Sequence, residues 1–144
     1  MEPDSRSFHF PVRVYYEDTD AVGVVYYAAY LRFIERARTE WLRSLGLELD
    51  AIERQESVVF PVRAIEADYR RPARLGDLLD VYTSPIRLRR ASMELWQTVS
   101  RQGEQLFSCR VTLACVDSST FRPGPMPAAI RDRIHRWNTP YQSK

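Results

Sequence analysis

Between Phe8 and Asp18 apolar residues (Phe8, Phe10, Val12, Val14, Tyr16) alternate with mostly polar ones, the two-residue period of a half-buried strand. Pro11 points to an edge position, because proline withholds a ladder N–H. Thr19, Asp20, Ala21, Val22 and Gly23 then supply turn-forming residues. Beyond them the period changes. Tyr30, Ile34, Ala37, Trp41 and Leu45 recur every three or four residues, with Arg32, Glu35, Arg36, Arg38, Glu40 and Arg43 on the other faces. That spacing predicts an amphipathic helix of about five turns, stopped by Gly46. The helical charges are expected to form surface pairs such as Glu35 with Arg38 and Arg36 with Glu40.

A polar segment, Glu48 to Glu56, precedes four strand-like runs: Val58 to Tyr69, Leu78 to Arg89, Ser92 to Arg101 and Gln105 to Val116. The last is the clearest, with Phe107, Cys109, Val111, Leu113 and Cys115 on one face and Ser108, Arg110 and Thr112 on the other. The connections contain Arg71-Pro72 with Gly76-Asp77, then Arg90-Ala91, then Gln102-Gly103, short enough for an antiparallel meander. A proline-rich turn, Pro123 to Pro127, leads into a short final helix carrying Ile130, Ile134 and Trp137. A single long helix and a sheet of this size must bury their apolar faces against each other. The expected class is therefore α+β, with the sheet packed on or curled around the helix. No repeat or linker divides the chain, so residues 1–144 are expected to form one domain, a size that buries about two thirds of its unfolded surface.

Composition narrows the chemistry. With 44% hydrophobic and 28% charged residues, the chain is neither disordered nor of low complexity. The longest uncharged apolar stretch, Ala21 to Leu31, is far shorter than the ~20 residues that cross a bilayer, so no membrane span is expected. The opening MEPDSRSFHF holds two acids and no apolar run, unlike a secretory signal, and a cytoplasmic location is expected. Cys109 and Cys115 lie along one strand and read as buried apolar residues rather than a disulfide. His9 and His135 have no companion ligands at metal spacing, and no dinucleotide, P-loop, serine-hydrolase or zinc-protease signature is present, so no metal or cofactor is assigned. Every cationic side chain except Lys144 is arginine, which suits phosphate contacts but equally reflects a uniform compositional bias. Acids interleave with the bases to a net charge of +2, leaving no single-sign surface for nucleic acid. The clusters Arg70-Arg71-Arg74 and Arg87-Arg89-Arg90 stand out, the first with a solvated-turn reading beside a phosphate-binding one.

The densest constellation runs from Tyr15 to Tyr27, YYEDTDAVGVVYY: three carboxylates within four residues, followed by uncharged residues leading into the helix. Asp20 has two readings. As a cap it contributes about 1 kcal/mol. As a general base or nucleophile it faces free backbone N–H donors able to hold a developing oxyanion.

The stretch VRVYYEDTDAVGVVYYAAYLRFIERARTEWLRSLG resembles the signature of hotdog-fold acyl-CoA thioesterases of the 4-hydroxybenzoyl-CoA thioesterase type, and most closely the Tol-Pal-associated branch; a looser likeness runs through YRRPARLGD to Asp117. The resemblance implies a hotdog fold, an antiparallel five- or six-stranded sheet wrapped around one long helix. It further implies pairing into a homodimer or homotetramer with active sites at the subunit interface. It places catalysis on Asp20, the second acid of the D-x-D element, with Asp18 supporting. The Tyr27 backbone N–H would meet the thioester carbonyl, Gly23 would serve the tight turn, and Arg89 and Arg90 would meet the nucleotide phosphates of coenzyme A. The Tol-Pal-associated branch typically reads Gly-Gly-Val-Val-Tyr-His where this chain reads Val22-Gly23-Val24-Val25-Tyr26-Tyr27. The histidine is replaced by tyrosine, as in the 4-hydroxybenzoyl-CoA branch.

Thioester hydrolysis needs an attacking oxygen and fixed donors for the charge that develops on the carbonyl, and a helix N-terminus supplies donors without using a side chain. The expected function is hydrolysis of acyl-CoA thioesters, with an acyl-carrier protein as another carrier of the acyl group. A hydratase would pair a histidine with a carboxylate, and neither His9 nor His135 lies near the helix start. The alternative from another class is a non-catalytic acyl-CoA or acyl-carrier-protein binder, or a scaffold of the cell-envelope machinery, with Asp20 only a cap.

Overall fold

The computed structural model describes residues 6–138. Five strands form one antiparallel sheet in the order β1 (Phe8–Arg13), β4 (Leu78–Leu88), β5 (Ser92–Arg101), β6 (Glu104–Ala114), β3 (Val62–Tyr69). A two-stranded ribbon pairs β2 (Val58–Val59) with β7 (Val116–Asp117). Helix α1 (Ala29–Ser44) packs on β1, β4 and β5, α2 (Leu49–Glu56) follows it, and α3 (Ala128–Asn138) closes the core. No helix among the described residues is long and apolar enough to cross a membrane.

The helical period buries Ala29, Tyr30, Phe33, Ile34, Ala37, Trp41 and Leu42 against the sheet. The opposing face is the predicted one: Phe107, Cys109, Val111 and Leu113 are at most 2% exposed. Large side chains such as Trp41 and Phe107 each contribute about 1.5–3 kcal/mol by leaving water. Trp41 also meets Trp137 of α3 edge-on at 5.6 Å. Gly46 ends α1 at φ +80°, a conformation strained for any residue with a Cβ. Both cysteines are free and buried.

Several expectations are corrected. The first strand stops at Arg13 rather than Asp18, because the Asp18 carboxylate accepts the Tyr15 N–H at 2.9 Å and folds Tyr16–Asp18 into a single 3-10 turn. The polar segment after α1 is helical, with Ile52 alone turned inward. The run from Val58 breaks at Phe60-Pro61 into β2 and β3, the Pro61 carbonyl accepting the Ala114 N–H at 2.9 Å. The meander holds for β4, β5 and β6 but not for β3, which crosses the sheet end to pair with β6, leaving β4 free for β1. Neither expected surface pair on α1 closes to ion-pair distance, although the charge of Glu35 still acts on Arg38. Arg38 is buried and donates to Gln97 Oε1 at 3.4 Å, while Gln97 donates to the Ile34 carbonyl at 2.9 Å and Thr83 Oγ1 at 2.8 Å; Glu40 pairs with Arg43.

Candidate active site

After β1 the chain is fastened to the loop that leads into β4: Val14 N–H donates to Asp77 O at 2.8 Å, and Gly76 N–H to Val14 O at 3.0 Å. Asp18 then acts as an anchor. Its side chain is buried; Oδ1 accepts from Arg32 Nη2 of α1 at 3.0 Å, Oδ2 accepts the Tyr15 N–H, and its backbone carbonyl accepts the Tyr26 N–H at 2.9 Å.

Between these fixed points the chain makes a tight turn. Asp20 N–H donates to Val24 O at 2.9 Å and Gly23 N–H to Asp20 O at 3.1 Å. Gly23 lies at φ +83° with open space around its Cα, so the backbone conformation, and not a clash, calls for glycine. The Asp20 side chain is exposed, and its Oδ1 accepts the N–H groups of Val22 at 2.9 Å and Val24 at 3.4 Å. Among the described residues Oδ2 has no partner. One oxygen orients the carboxylate and the other is free for chemistry.

The return strand is tied down where Val25 N–H donates to Ala73 O at 2.8 Å. Ala29 N–H then donates to Tyr26 O at 2.8 Å, fixing the Tyr26–Tyr27 peptide from its carbonyl side. In a trans peptide the N–H points opposite the carbonyl, so the Tyr27 N–H is directed away from α1. It has no acceptor among the described residues. The Tyr27 carbonyl accepts the Tyr69 hydroxyl at 3.1 Å. An unpaired N–H at the positive end of a 16-residue helix favours an oxygen that gains negative charge.

Beside Tyr27 lies a slot of about 220 Å³ walled by Val25, Tyr27, Tyr30, Tyr69 and Pro72, with the exposed Arg70 and Arg71 on its solvent side. Asp68 pairs with Arg70 at 2.8 Å and Glu104 with Arg71 at 2.9 Å. A larger groove, about 520 Å³, is formed by α2, β2 and Phe121. It sits at the Val62 end of β3, away from Asp20, and its titratable lining among the described residues is Asp50 and Glu53; the smaller slot is the one that Tyr27 lines.

The turn thus brings Asp18, Asp20, Gly23 and Tyr27 together, but not Arg89 and Arg90. Those follow the far end of the 11-residue β4, roughly 35 Å along the strand from the Arg74 end that the Asp20 turn touches. There Arg89 pairs with Glu94 at 3.2 Å, and Arg90 is in no ion pair among the described residues. Sequence reasoning missed Arg32, Tyr30 and Tyr69. Only the exposed end of an otherwise ordinary strand pattern distinguishes Tyr69, and no local signal couples Arg32 to Asp18.

Residues 14–134 match the thioesterase-like superfamily, and the chain belongs to it. Its class is that of a thioesterase. The chain is 41% identical over 128 residues to the acyl-CoA thioesterase YbgC of Haemophilus influenzae, covering 89% of this chain and 94% of that protein. It is 43% identical over 124 residues to the acyl-CoA thioester hydrolase YbgC of Escherichia coli, covering 85% and 92%. The crystal structure of a probable thioesterase from Bartonella henselae superposes with a TM-score of 0.81 at 34% identity, over 85% of this chain and all of that one.

Proposed function

We propose that this protein hydrolyses acyl-CoA thioesters, with Asp20 as the general base or nucleophile and the Tyr27 N–H holding the oxyanion. The observation that carries the reading is the pairing of a carboxylate oriented through one oxygen with an unpaired N–H at the start of α1. The acyl-CoA names of the two relatives support the substrate class. Water deprotonated by Asp20 adds to the thioester carbonyl carbon, or the Asp20 carboxylate adds and water then cleaves the resulting acyl anhydride; in either case the carbonyl π electrons move onto oxygen beside the Tyr27 N–H, and collapse breaks the C–S bond. Coenzyme A leaves as thiol, its proton coming from the attacking water. Asp18 and Gly23 support the turn without touching substrate.

Arg89 and Arg90 enter through a second copy. β3 is an edge strand with seven of its eight residues exposed, and its outer backbone groups have no strand partner. A two-fold pairing of β3 edges would set the Val62 end of one protomer beside the Tyr69 end of the other. The β4–β5 hairpin lies at the Val62 end, since Ser92 pairs with Ala114 and Val62 with Leu113. The partner subunit's Arg89 and Arg90 would then face the slot and the phosphates of its coenzyme A.

One observation favours a second reading. The Asp20 side chain already caps its own turn through Oδ1, as a non-catalytic acyl-CoA or acyl-carrier-protein binder would require. Incubating the pure protein with a panel of acyl-CoAs and a thiol reagent separates the two. Release of free coenzyme A above background is expected, and its absence with every substrate would leave only the binder.

A further inference from the structure

We infer that Arg131 is a further phosphate-binding residue of this protein: from the first turn of α3 it joins Arg90 at the tip of the β4–β5 hairpin to hold the anionic nucleotide end of coenzyme A. This rests on the coenzyme A reading above and adds to it a residue from an element that reading leaves out.

The hairpin tip is fastened from the α3 side. Arg131 Nη2 donates to the Arg89 carbonyl at 2.5 Å, the Met126 N–H to the Arg90 carbonyl at 2.8 Å, and the Cys115 N–H to the Ala91 carbonyl at 2.9 Å. The Arg89 N–H closes the turn onto the Ser92 carbonyl at 2.9 Å. Three successive carbonyls are thus taken, and the tip is a fixed platform. The Arg131 guanidinium uses one of its five donors in this way. Neither it nor the exposed Arg90 has a carboxylate within ion-pair distance among the described residues. Two guanidinium groups without acids at one rigid turn suit the bidentate contacts that phosphate oxygens accept.

The side on which each cation stands decides which can reach the ligand. Met93 and Leu95 are fully buried toward α1, so Glu94 between them turns to the opposite face of the sheet. There it draws Arg89 to 3.2 Å and Arg110 to 3.8 Å. Helix α3 packs on the α1 side instead, burying Ile130 and Ile134 and setting Trp137 against Trp41. Arg131 therefore reaches the tip from the α1 side, which is also the side of the slot that Tyr27 and Tyr30 line. Antiparallel pairing of two β3 edges runs the two-fold axis through the sheet, so both protomers keep α1 on one side. From the hairpin of one protomer the order β5, β6, β3 and the partner's β3 spans three strand spacings, roughly 14 Å. An extended pantetheine arm bridges a gap of that order, with its thioester at Tyr27 of the partner subunit and its phosphates at Arg90 and Arg131.

Calorimetric titration of coenzyme A into the full chain at low salt tests this in the wild type, Arg131→Ala, Arg131→Gln and Arg131→Lys. Arg131→Gln keeps an amide able to donate to the Arg89 carbonyl and loses the charge; Arg131→Lys keeps the charge and loses the planar fork. Kd should rise about tenfold or more in Arg131→Ala and Arg131→Gln, the usual effect of losing a hydrogen bond to a charged group, and by less in Arg131→Lys. The rise of Kd with salt should also be shallower in the two uncharged variants than in the wild type. Should Arg131→Ala not fold by circular dichroism, the other two variants carry the test. A wild-type Kd in Arg131→Gln, or an equal loss in every variant with unchanged salt dependence, would overturn the assignment and leave Arg131 a strut for the hairpin. A wild type that binds coenzyme A through Arg131 but hydrolyses no acyl-CoA would overturn the hydrolysis and keep this site. Hydrolysis with a Kd independent of Arg131 would do the reverse, and a wild type that binds no coenzyme A would overturn both.

Discussion

Arg32 on the first turn of α1 donates to the buried carboxylate of Asp18 at 3.0 Å, and through that contact the helix grips the turn that carries Asp20. The side chains are unequal: Asp18 is 6% exposed and Arg32 46%. Removing Arg32 leaves a buried acceptor with only the Tyr15 N–H, a loss of about 1–3 kcal/mol. Because the Asp18 carbonyl also holds Tyr26, the Tyr27 N–H should drift with it. We expect Arg32→Ala to lower the urea midpoint and to reduce kcat more than it raises KM, with partial recovery in Arg32→Lys. Unchanged kcat in a destabilised variant would limit Arg32 to folding.

Asp20→Asn is the sharpest test of the carboxylate. The amide oxygen of asparagine can still accept the Val22 and Val24 N–H groups, so the turn should survive. What is lost is the charge and basicity of the group. Hydrolysis should fall by a factor on the order of 10² to 10⁴ while the melting temperature stays near that of the wild type. Near wild-type turnover would reduce Asp20 to a cap.

These two residues also mark how far the sequence could be read. Asp20 and Gly23 were legible as turn residues because turn chemistry is local, and Gly23 does lie at positive φ; the role of the Tyr27 N–H was legible only through the family resemblance. The period of α1 and the alternation of β6 were legible because they too are local. The position of β3 was not, since hairpin-length connections suit a meander equally well and the pairing of Ala67 with Cys109 is a long-range choice. Nor was Arg38, whose place in the helical pattern reads as surface until Gln97 and Thr83 arrive from the sheet to meet it. Helix α2 was missed because it buries a single residue, Ile52, too little to produce a period.

The pH dependence of stability follows from opposing shifts. Burial pushes Asp77 up, but hydrogen bonds from the Arg101 guanidinium and the Arg74 N–H outweigh it and hold the carboxyl below its ordinary value of 3.8. Its stabilisation is present above the unfolded value and is lost as pH falls below it. Burial pushes the Cys109 thiol up from 9.0 to about 12, with Arg38 opposing. The folded state then keeps a proton that the unfolded chain releases, so stability declines as pH rises from about 9 to about 12. Denaturant midpoints should therefore fall on both the acid and the alkaline sides, and Cys109→Ala should weaken the alkaline arm without removing it, because burial also pushes the Tyr30 hydroxyl up, and should leave the acid arm unchanged. The same buried, protonated thiol should leave the native protein unreactive toward a thiol reagent at neutral pH.

Arg89 and Arg90 should act on binding. The phosphates of coenzyme A lie far from the reacting carbonyl, so Arg89→Ala with Arg90→Ala should raise KM for acyl-CoA more than it lowers kcat, and the wild-type KM should rise with salt. Arg89 already has Glu94 as a partner, so Arg90→Ala alone should account for most of the effect. An unchanged KM in the double variant at low salt would place the nucleotide elsewhere, with Arg70 and Arg71 beside the slot as the next residues to test.

Tyr27 separates backbone from side chain. A neutral phenol is a poor general base. Its ring packs on Tyr26 at 4.8 Å and its carbonyl receives the Tyr69 hydroxyl, so neither commits the Tyr27 hydroxyl to chemistry. Tyr27→Phe should keep kcat within about tenfold, because the N–H that meets the oxyanion is retained. Tyr27→Pro removes that donor and should nearly abolish turnover; since no acceptor among the described residues depends on it, the helix should still form, which circular dichroism checks. If Tyr27→Phe proves as damaging as Asp20→Asn, the phenol takes part in the reaction and the oxyanion is not held by the backbone alone.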